Sequence, residues 1–267
     1  MKVYGVFGDP IEHSLSPAMQ NAAFEALGLE ACYHAFRVKP SRLKEAIIGA
    51  KAMGFGGLNL TIPLKETALQ MVQPDRTAKV IGAVNTIAFE DGIKGYNTDG
   101  IGAQKALERY GIQIRGKEVL IIGAGGAAKS IAYQLSQSEA RVSIANRNPE
   151  KAKDLARKVG GKGFGLQDLG TLVPKAEIVI NATSVGMKEG DPRLVDKTFF
   201  RKKQVVFDVV YNRETELLKD AAFAGAKTLD GVMMLVYQGA YALKIWTGLD
   251  APVEAMEIAI REELSKR

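Results

Sequence analysis

The apolar run Glu118-Val119-Leu120-Ile121-Ile122 passes directly into Gly123-Ala124-Gly125-Gly126-Ala127-Ala128, and nothing else in the sequence restricts the fold as strongly. A strand, a glycine-rich turn and an opening helix form the context in which G-x-G-x-x-G/A binds a dinucleotide. The reason is close approach. Gly123 permits the tight turn, Gly125 lets backbone N–H groups reach a pyrophosphate, and Ala128 keeps the helix near the sheet, while the helix dipole favours the anion. Gly123, Ala124, Gly125, Gly126 and Ala127 are therefore the expected cofactor-binding turn.

About twenty residues on, where an acidic side chain would hold a ribose 2′-hydroxyl, the sequence has Asn146-Arg147. A carboxylate there would repel a 2′-phosphate, whereas a guanidinium can grip it through charge-assisted bonds. The exchange predicts NADP as cofactor, held by Asn146 and Arg147. Lys151, one helical turn further, is a candidate second cation.

Around this segment, apolar β-rich runs alternate with helical patterns, as in α/β proteins with mainly parallel sheets. Strands are expected at Val3–Gly8, Cys32–Val38 and Gly57–Ile62. A helix capped by Ser16, with Pro17 at its first position, should run to Gly28, and another should follow Pro40. Asp91-Gly92 signals a hairpin between Val84–Phe89 and Ile93–Tyr96. Near residue 100 the pattern starts afresh with a helix from Gly100 to Tyr110, then strands at Glu118–Ile122, Ala140–Ala145, Ile178–Ala182 and Val205–Val209. Helices at Val232–Trp246 and Ala251–Ser265 close the chain, with Trp246, Tyr237 and Tyr241 expected to pack against the amino-terminal domain.

The 267 residues are 46% hydrophobic and 25% charged, an ordinary globular balance. The net charge of +6 is scattered, and the longest basic run is Arg201-Lys202-Lys203, which argues against a nucleic-acid partner. No apolar run approaches the roughly 18 residues of a membrane span, and Asp9 and Pro10 interrupt the amino terminus before a signal-peptide core could form. The single Cys32 cannot form an internal disulfide, so a cytoplasmic location is expected. His13 and His34 lack partners at metal-ligand spacing and are read as structural; no metal is expected.

The motifs Ser14-Leu-Ser16-Pro17, Asn59-Leu-Thr61-Ile-Pro-Leu-Lys65, Gly82-Ala-Val-Asn85-Thr86 and Asn97-Thr-Asp99-Gly100 continue with Asn181-Ala-Thr-Ser-Val-Gly-Met187, Asp208-Val-Val-Tyr211 and Asp230-Gly-Val-Met-Met-Leu-Val-Tyr-Gln238. Together they resemble the shikimate dehydrogenase family over nearly the full length. The resemblance implies reversible, NADPH-dependent reduction of 3-dehydroshikimate to shikimate in aromatic amino-acid biosynthesis, with Lys65 and Asp99 as the catalytic pair. It further implies that Ser14 and Ser16 bind the substrate carboxylate with Tyr211, that Asn59, Thr61, Asn85 and Gln238 address ring hydroxyls, and that Thr183, Met187 and Gly231 join the cofactor site. Ketone reduction agrees with this, since an ammonium can stabilise the developing alkoxide and a carboxylate can orient the ammonium. Taken alone, Lys65 would read as solvated and Asp99 as the N-cap of a helix from Gly100.

The expected architecture is α/β with two domains. Residues 1–100, completed by 234–267, form the substrate domain, and 101–233 form a Rossmann-like, doubly wound NADP-binding domain, with a cleft between them. The substrate is a small molecule; the oligomeric state is open, a homodimer being one option. The rivals are a quinate or mixed quinate/shikimate dehydrogenase and a catalytically silent relative that senses NADP or a metabolite. Leu60, Asn148, Arg213 and Lys129 depart from the family pattern.

Overall fold

The computed structural model describes residues 1–266. In chain order the elements are β1 (Lys2–Gly8), α1 (Ser16–Ala26), β2 (Ala31–Arg37), α2 (Leu43–Ala52), β3 (Gly57–Leu60), α3 (Leu64–Thr67), β4 (Gln73–Pro74), α4 (Arg76–Ile81), β5 (Thr86–Ala88), β6 (Lys94–Tyr96), α5 (Asp99–Arg109), β7 (Glu118–Ile122), α6 (Gly126–Gln137), β8 (Arg141–Asn146), α7 (Pro149–Val159), β9 (Lys162–Gly165), α8 (Leu169–Leu172), β10 (Ile178–Asn181), β11 (Val205–Asp208), α9 (Glu216–Phe223), β12 (Lys227–Leu229), α10 (Val232–Thr247) and α11 (Val253–Ser265). They divide into two compact units: Met1–Gly102 with Leu235 onward, and Ala103–Met234.

The first unit holds a sheet of order β2-β1-β3-β5-β6-β4. β1 pairs in parallel with β2 and β3, while β3–β5 and β5–β6 are antiparallel. The sheet is thus mixed, because the Asp91-Gly92 turn is too short for the crossover that parallel neighbours need. Alternation along β1 sends Tyr4 and Phe7 into different layers. Phe7 joins Leu43, Ile47, Leu58, Leu60 and Leu64 in one core cluster. Tyr4 instead packs its ring 5.1 Å from both Phe24 and Trp246. Trp246 also donates its indole N–H to the Ile87 carbonyl at 2.9 Å. Gly57 is required beneath it, since a Cβ there would lie 2.1 Å from the indole nitrogen.

The second unit has the order β12-β11-β10-β7-β8-β9 with every pairing parallel. The chain runs from central β7 outward through β8 and β9, then returns to β10 on the other side and continues to β11 and β12. That reversal is the doubly wound arrangement, and it leaves a crevice beyond the carboxyl ends of β7 and β10, where such sheets bind ligands. Leu120, Ile122, Val179 and Val206 form the core against Leu217, Leu218 and Ala221 of α9.

Three local expectations need correction. α1 begins at Ser16 itself, and Leu15 occupies the N-cap position without a capping side chain. α5 begins at Asp99, whose N–H donates to Asn97 Oδ1 at 3.1 Å; the Asp99 carboxylate points to other partners and does not cap. β3 ends at Leu60, so Thr61 lies in a turn and not on the strand.

Candidate active site

Lys65 stands on α3, a single turn too short to be stable unaided. It is anchored from both sides. Leu64 is completely buried in the sheet core, and the Lys65 carbonyl accepts from the Val84 N–H at 2.8 Å. From this base the ammonium donates to Asp99 Oδ2 at 2.6 Å, with side-chain exposures of 17% and 6% for the pair. Asp99 Oδ1 accepts from Asn85 Nδ2 at 2.9 Å, and the same nitrogen lies 3.5 Å from Gln238 Oε1. Asn85 Oδ1 in turn accepts from the Thr98 N–H at 2.8 Å and the Thr86 hydroxyl at 2.9 Å. The structure therefore brings Lys65, Asp99, Asn85 and Gln238 into one chain of contacts.

Asn59 joins this cluster from behind. Its amide donates to the Asn85 carbonyl at 3.1 Å and to Thr86 Oγ1 at 3.0 Å, while its Oδ1 accepts from the Tyr33 hydroxyl at 2.7 Å. Both amide hydrogens are engaged, so Asn59 retains only acceptor capacity for a ligand. Tyr33 is completely buried, and burial pushes its phenol well above the ordinary range. Its hydroxyl therefore acts as a donor. Nothing in the local sequence marks Tyr33.

Ser14 and Ser16 meet in a turn in which the Ser16 N–H donates to Ser14 Oγ at 3.3 Å. Thr61 lies beside the start of this loop, since a Cβ on Gly8 would fall 2.5 Å from Thr61 Cγ2. Gly8 thus permits a close approach that no sequence pattern signals. Gln20, one turn beyond Ser16, is completely buried and donates to the Gly239 carbonyl at 3.0 Å, fastening α1 to α10 beside Gln238. Its Oε1 is buried without a hydrogen-bond partner among the described residues.

In the second unit, Gly123 adopts φ +120°, and a Cβ there would lie 2.8 Å from the Ala182 carbonyl. Gly125 is the N-cap of α6 and supplies no capping side chain, and a Cβ added to it would meet nothing within 4 Å. An uncapped helix start facing open space, with Gly126 and Ala127 in its first turn, suits a pyrophosphate. Arg147 and Lys151 are exposed, and neither side chain has an ion-pair partner among the described residues. Asn146 donates to the Asn148 carbonyl at 3.0 Å. Asn148, one of the departures, caps α7 by accepting from the Glu150 N–H at 3.0 Å, a duty a threonine would share.

Thr183 folds back on Asn181, donating its hydroxyl to Asn181 Oδ1 at 2.7 Å. Met187 is 45% exposed, and its carbonyl accepts from Asn212 Nδ2 at 3.1 Å, close in sequence to the half-buried Tyr211. Gly231 is confined against the segment after β11, where a Cβ would lie 2.2 Å from the Val209 carbonyl. Arg213 lines a cavity of about 330 Å³ with Lys188, Asp191, Arg193 and Glu216. Backbone N–H bonds from Lys188 and Gly186, with Lys188 and Arg213 nearby, hold the Asp191 carboxyl below its usual range. Among the described residues no cluster of acidic, His and Cys side chains suits a metal, and no helix is long and apolar enough to cross a membrane.

What the second unit offers a dinucleotide, and what the first offers a developing alkoxide, define a class: a dinucleotide-dependent oxidoreductase for a small substrate rich in hydrogen-bonding groups. Comparison with known proteins narrows this. Residues 6–87 match the shikimate dehydrogenase substrate binding domain, 103–221 match shikimate / quinate 5-dehydrogenase, and 231–261 match the shikimate 5′-dehydrogenase C-terminal domain. The shikimate dehydrogenase (NADP+) of Methanothrix thermoacetophila is 61% identical over 100% of this chain and 99% of its own. A shikimate dehydrogenase solved in complex with NADP+ is 45% identical, with TM-score 0.92 over 99% of this chain and 96% of its own. The Thermus thermophilus enzyme, solved with NADP(H) and shikimate, is 36% identical, with TM-score 0.92 over 98% of this chain and 99% of its own. The chain belongs to the shikimate dehydrogenase family.

Proposed function

We propose that this chain catalyses the reversible NADPH-dependent reduction of 3-dehydroshikimate to shikimate, with Lys65 and Asp99 as its catalytic pair. The observation that carries the reading is the 2.6 Å contact of Lys65 Nζ with Asp99 Oδ2, locked by Asn85 on Oδ1. Asp99 accepts on both oxygens, from Lys65 and from Asn85, and so orients the Lys65 amine toward the substrate. When bound, NADPH supplies the hydride. Lys65 would stabilise the negative charge that develops on the ketone oxygen and deliver a proton to it.

Ser14 and Ser16 fit the substrate carboxylate, with Tyr211 as a further donor. Gln238, Thr61 and the remaining acceptor capacity of Asn85 and Asn59 fit a polyhydroxylated ring, whose hydroxyls can donate to them and accept in turn. For NADP, the start of α6 would hold the pyrophosphate, Arg147 with Asn146 and Lys151 the 2′-phosphate, and Thr183, Met187 and Gly231 the nicotinamide end. A cytoplasmic setting is part of the proposal, supported by a single cysteine that offers no internal disulfide.

The test is a spectrophotometric assay of the purified protein with shikimate and quinate, each against NADP and NAD. The fastest reduction should occur with shikimate and NADP. Absence of shikimate-dependent NADP reduction would overturn the assignment, and faster turnover of quinate would move it to the quinate branch.

A further inference from the structure

Asp208 lies at the end of β11, completely buried and without a counter-ion among the described residues. Three donors converge on its carboxylate. Asn181 Nδ2 lies 2.9 Å and the Val210 N–H 3.0 Å from Oδ1, and the Thr215 hydroxyl lies 2.7 Å from Oδ2. Burying a charge is expensive unless hydrogen bonds replace its hydration. Here they come from the end of β10, the segment after β11 and the start of α9.

Each donor organises a stretch of chain. Asn181 also donates to the Val185 carbonyl at 3.0 Å and accepts from the Thr183 N–H at 3.0 Å, which folds the loop from Ala182 to Met187 over it. Thr215 caps α9 and packs against Gly186, where φ is +101° and a Cβ would fall 2.8 Å from Thr215 Cγ2. The Val210 N–H fixes the segment leading to Tyr211. At the tips, Asn212 Nδ2 donates to the Met187 carbonyl at 3.1 Å. The two loops are therefore joined at base and tip.

We infer that Asp208, through Asn181 and Thr215, is a positioning residue for both ligands, holding Thr183 and Met187 for the cofactor and Tyr211 for the substrate carboxylate as one unit. This rests on the roles proposed above for those three residues. A carboxylate suits the site because it can accept from all three converging groups, two N–H donors and the Thr215 hydroxyl. The linkage makes a prediction that simple stabilisation does not: loosening one donor should weaken cofactor and substrate binding together.

The test compares Thr215→Val, which deletes the hydroxyl while keeping the shape, Thr215→Ser, which keeps the hydroxyl, and Tyr211→Phe, alone and combined with Thr215→Val. Measured on the full chain would be KM for shikimate, the NADP dissociation constant and Tm. Thr215→Val should raise KM and the dissociation constant each by about 10-fold, the scale of one lost hydrogen bond, with Thr215→Ser near wild type. In the Tyr211→Phe background, Thr215→Val should add little to KM, since both act through one contact. A lower Tm with unchanged KM and NADP affinity in Thr215→Val would overturn the inference, as would full additivity with Tyr211→Phe. If Tyr211→Phe alone left KM unchanged, the role given to Tyr211 would fall instead, and an NADP effect without a shikimate effect would break the proposed coupling of the loops.

Discussion

Lys65 and Arg147 carry the same charge in opposite settings. Lys65 is held at 17% side-chain exposure against a carboxylate that is itself held by an amide, whereas Arg147 is exposed and has no ion-pair partner among the described residues. The first arrangement is preorganised: its geometry is fixed before substrate binds, and its limited exposure to water strengthens its effect on a nascent alkoxide. The second is available, with its guanidinium's hydrogen-bonding capacity reserved for an incoming anion and its contribution open to screening by salt. On the proposed reading, the first setting suits chemistry and the second cofactor selection.

The largest expected effect breaks the preorganised side. Lys65→Met keeps the stem and removes the charge and protons, so kcat should fall by roughly 10²- to 10⁴-fold under saturating NADPH, the usual scale for a positioned acid–base group. Steady-state kinetics on protein shown by circular dichroism to be folded checks this. Arg147→Ala attacks the other side. It should weaken NADP binding by roughly 10- to 100-fold, since one charge-assisted contact contributes about 1.5–3 kcal/mol, while use of NAD changes little. Equal losses for both cofactors would contradict the 2′-phosphate role.

A smaller effect is expected from Ser14→Ala with Ser16→Ala, which should raise KM for shikimate by about 10-fold, the scale of a lost neutral hydrogen bond, and leave NADP affinity unchanged. Isothermal titration of both ligands separates these outcomes. Smallest of all is a pH effect within the second unit. Burial raises the Asp208 carboxyl above its ordinary 3.8, outweighing the hydrogen bonds from Thr215, Val210 and Asn181. The folded chain then holds this proton more tightly than the unfolded chain, so the group's contribution to stability is greatest at low pH and declines as pH rises through the window above 3.8. Denaturant unfolding of Asp208→Asn should remove that decline, so the variant should gain relative to wild type as pH rises above 3.8. A difference that stays constant as pH rises from 3.8 would contradict a raised Asp208 carboxyl.

The same two regions differ in how far their sequence can be read. The cofactor turn is contiguous, and its requirement for glycine is local, so Gly123 at positive φ and the open face of Gly125 follow from spacing alone. The catalytic cluster is assembled across the chain. Asn85 and Gln238 are 153 residues apart in sequence, and Lys65 without the family resemblance reads as an ordinary solvated lysine. Tyr33, Gln20 and Gly8 leave no local signal because their roles exist only after β1, α1 and α10 have packed. Ser16 and Asp99 look like helix caps in sequence and are not, since cap propensity is a local signal that tertiary partners override; the Asp99 carboxylate is taken by Lys65 and Asn85. Likewise, the short strands β4 and β12 carry too few residues to show a period.

The most direct test of the division between the units measures kcat and the NADP dissociation constant for Lys65→Met, Arg147→Ala and the double variant. Distant groups with separate tasks should act independently. The account predicts that Lys65→Met loses kcat with NADP affinity nearly unchanged, that Arg147→Ala loses NADP affinity with kcat at saturation nearly unchanged, and that the double variant shows both losses in full. A folded Lys65→Met protein with near-normal kcat, or an Arg147→Ala protein whose kcat falls as far as that of Lys65→Met, would contradict it.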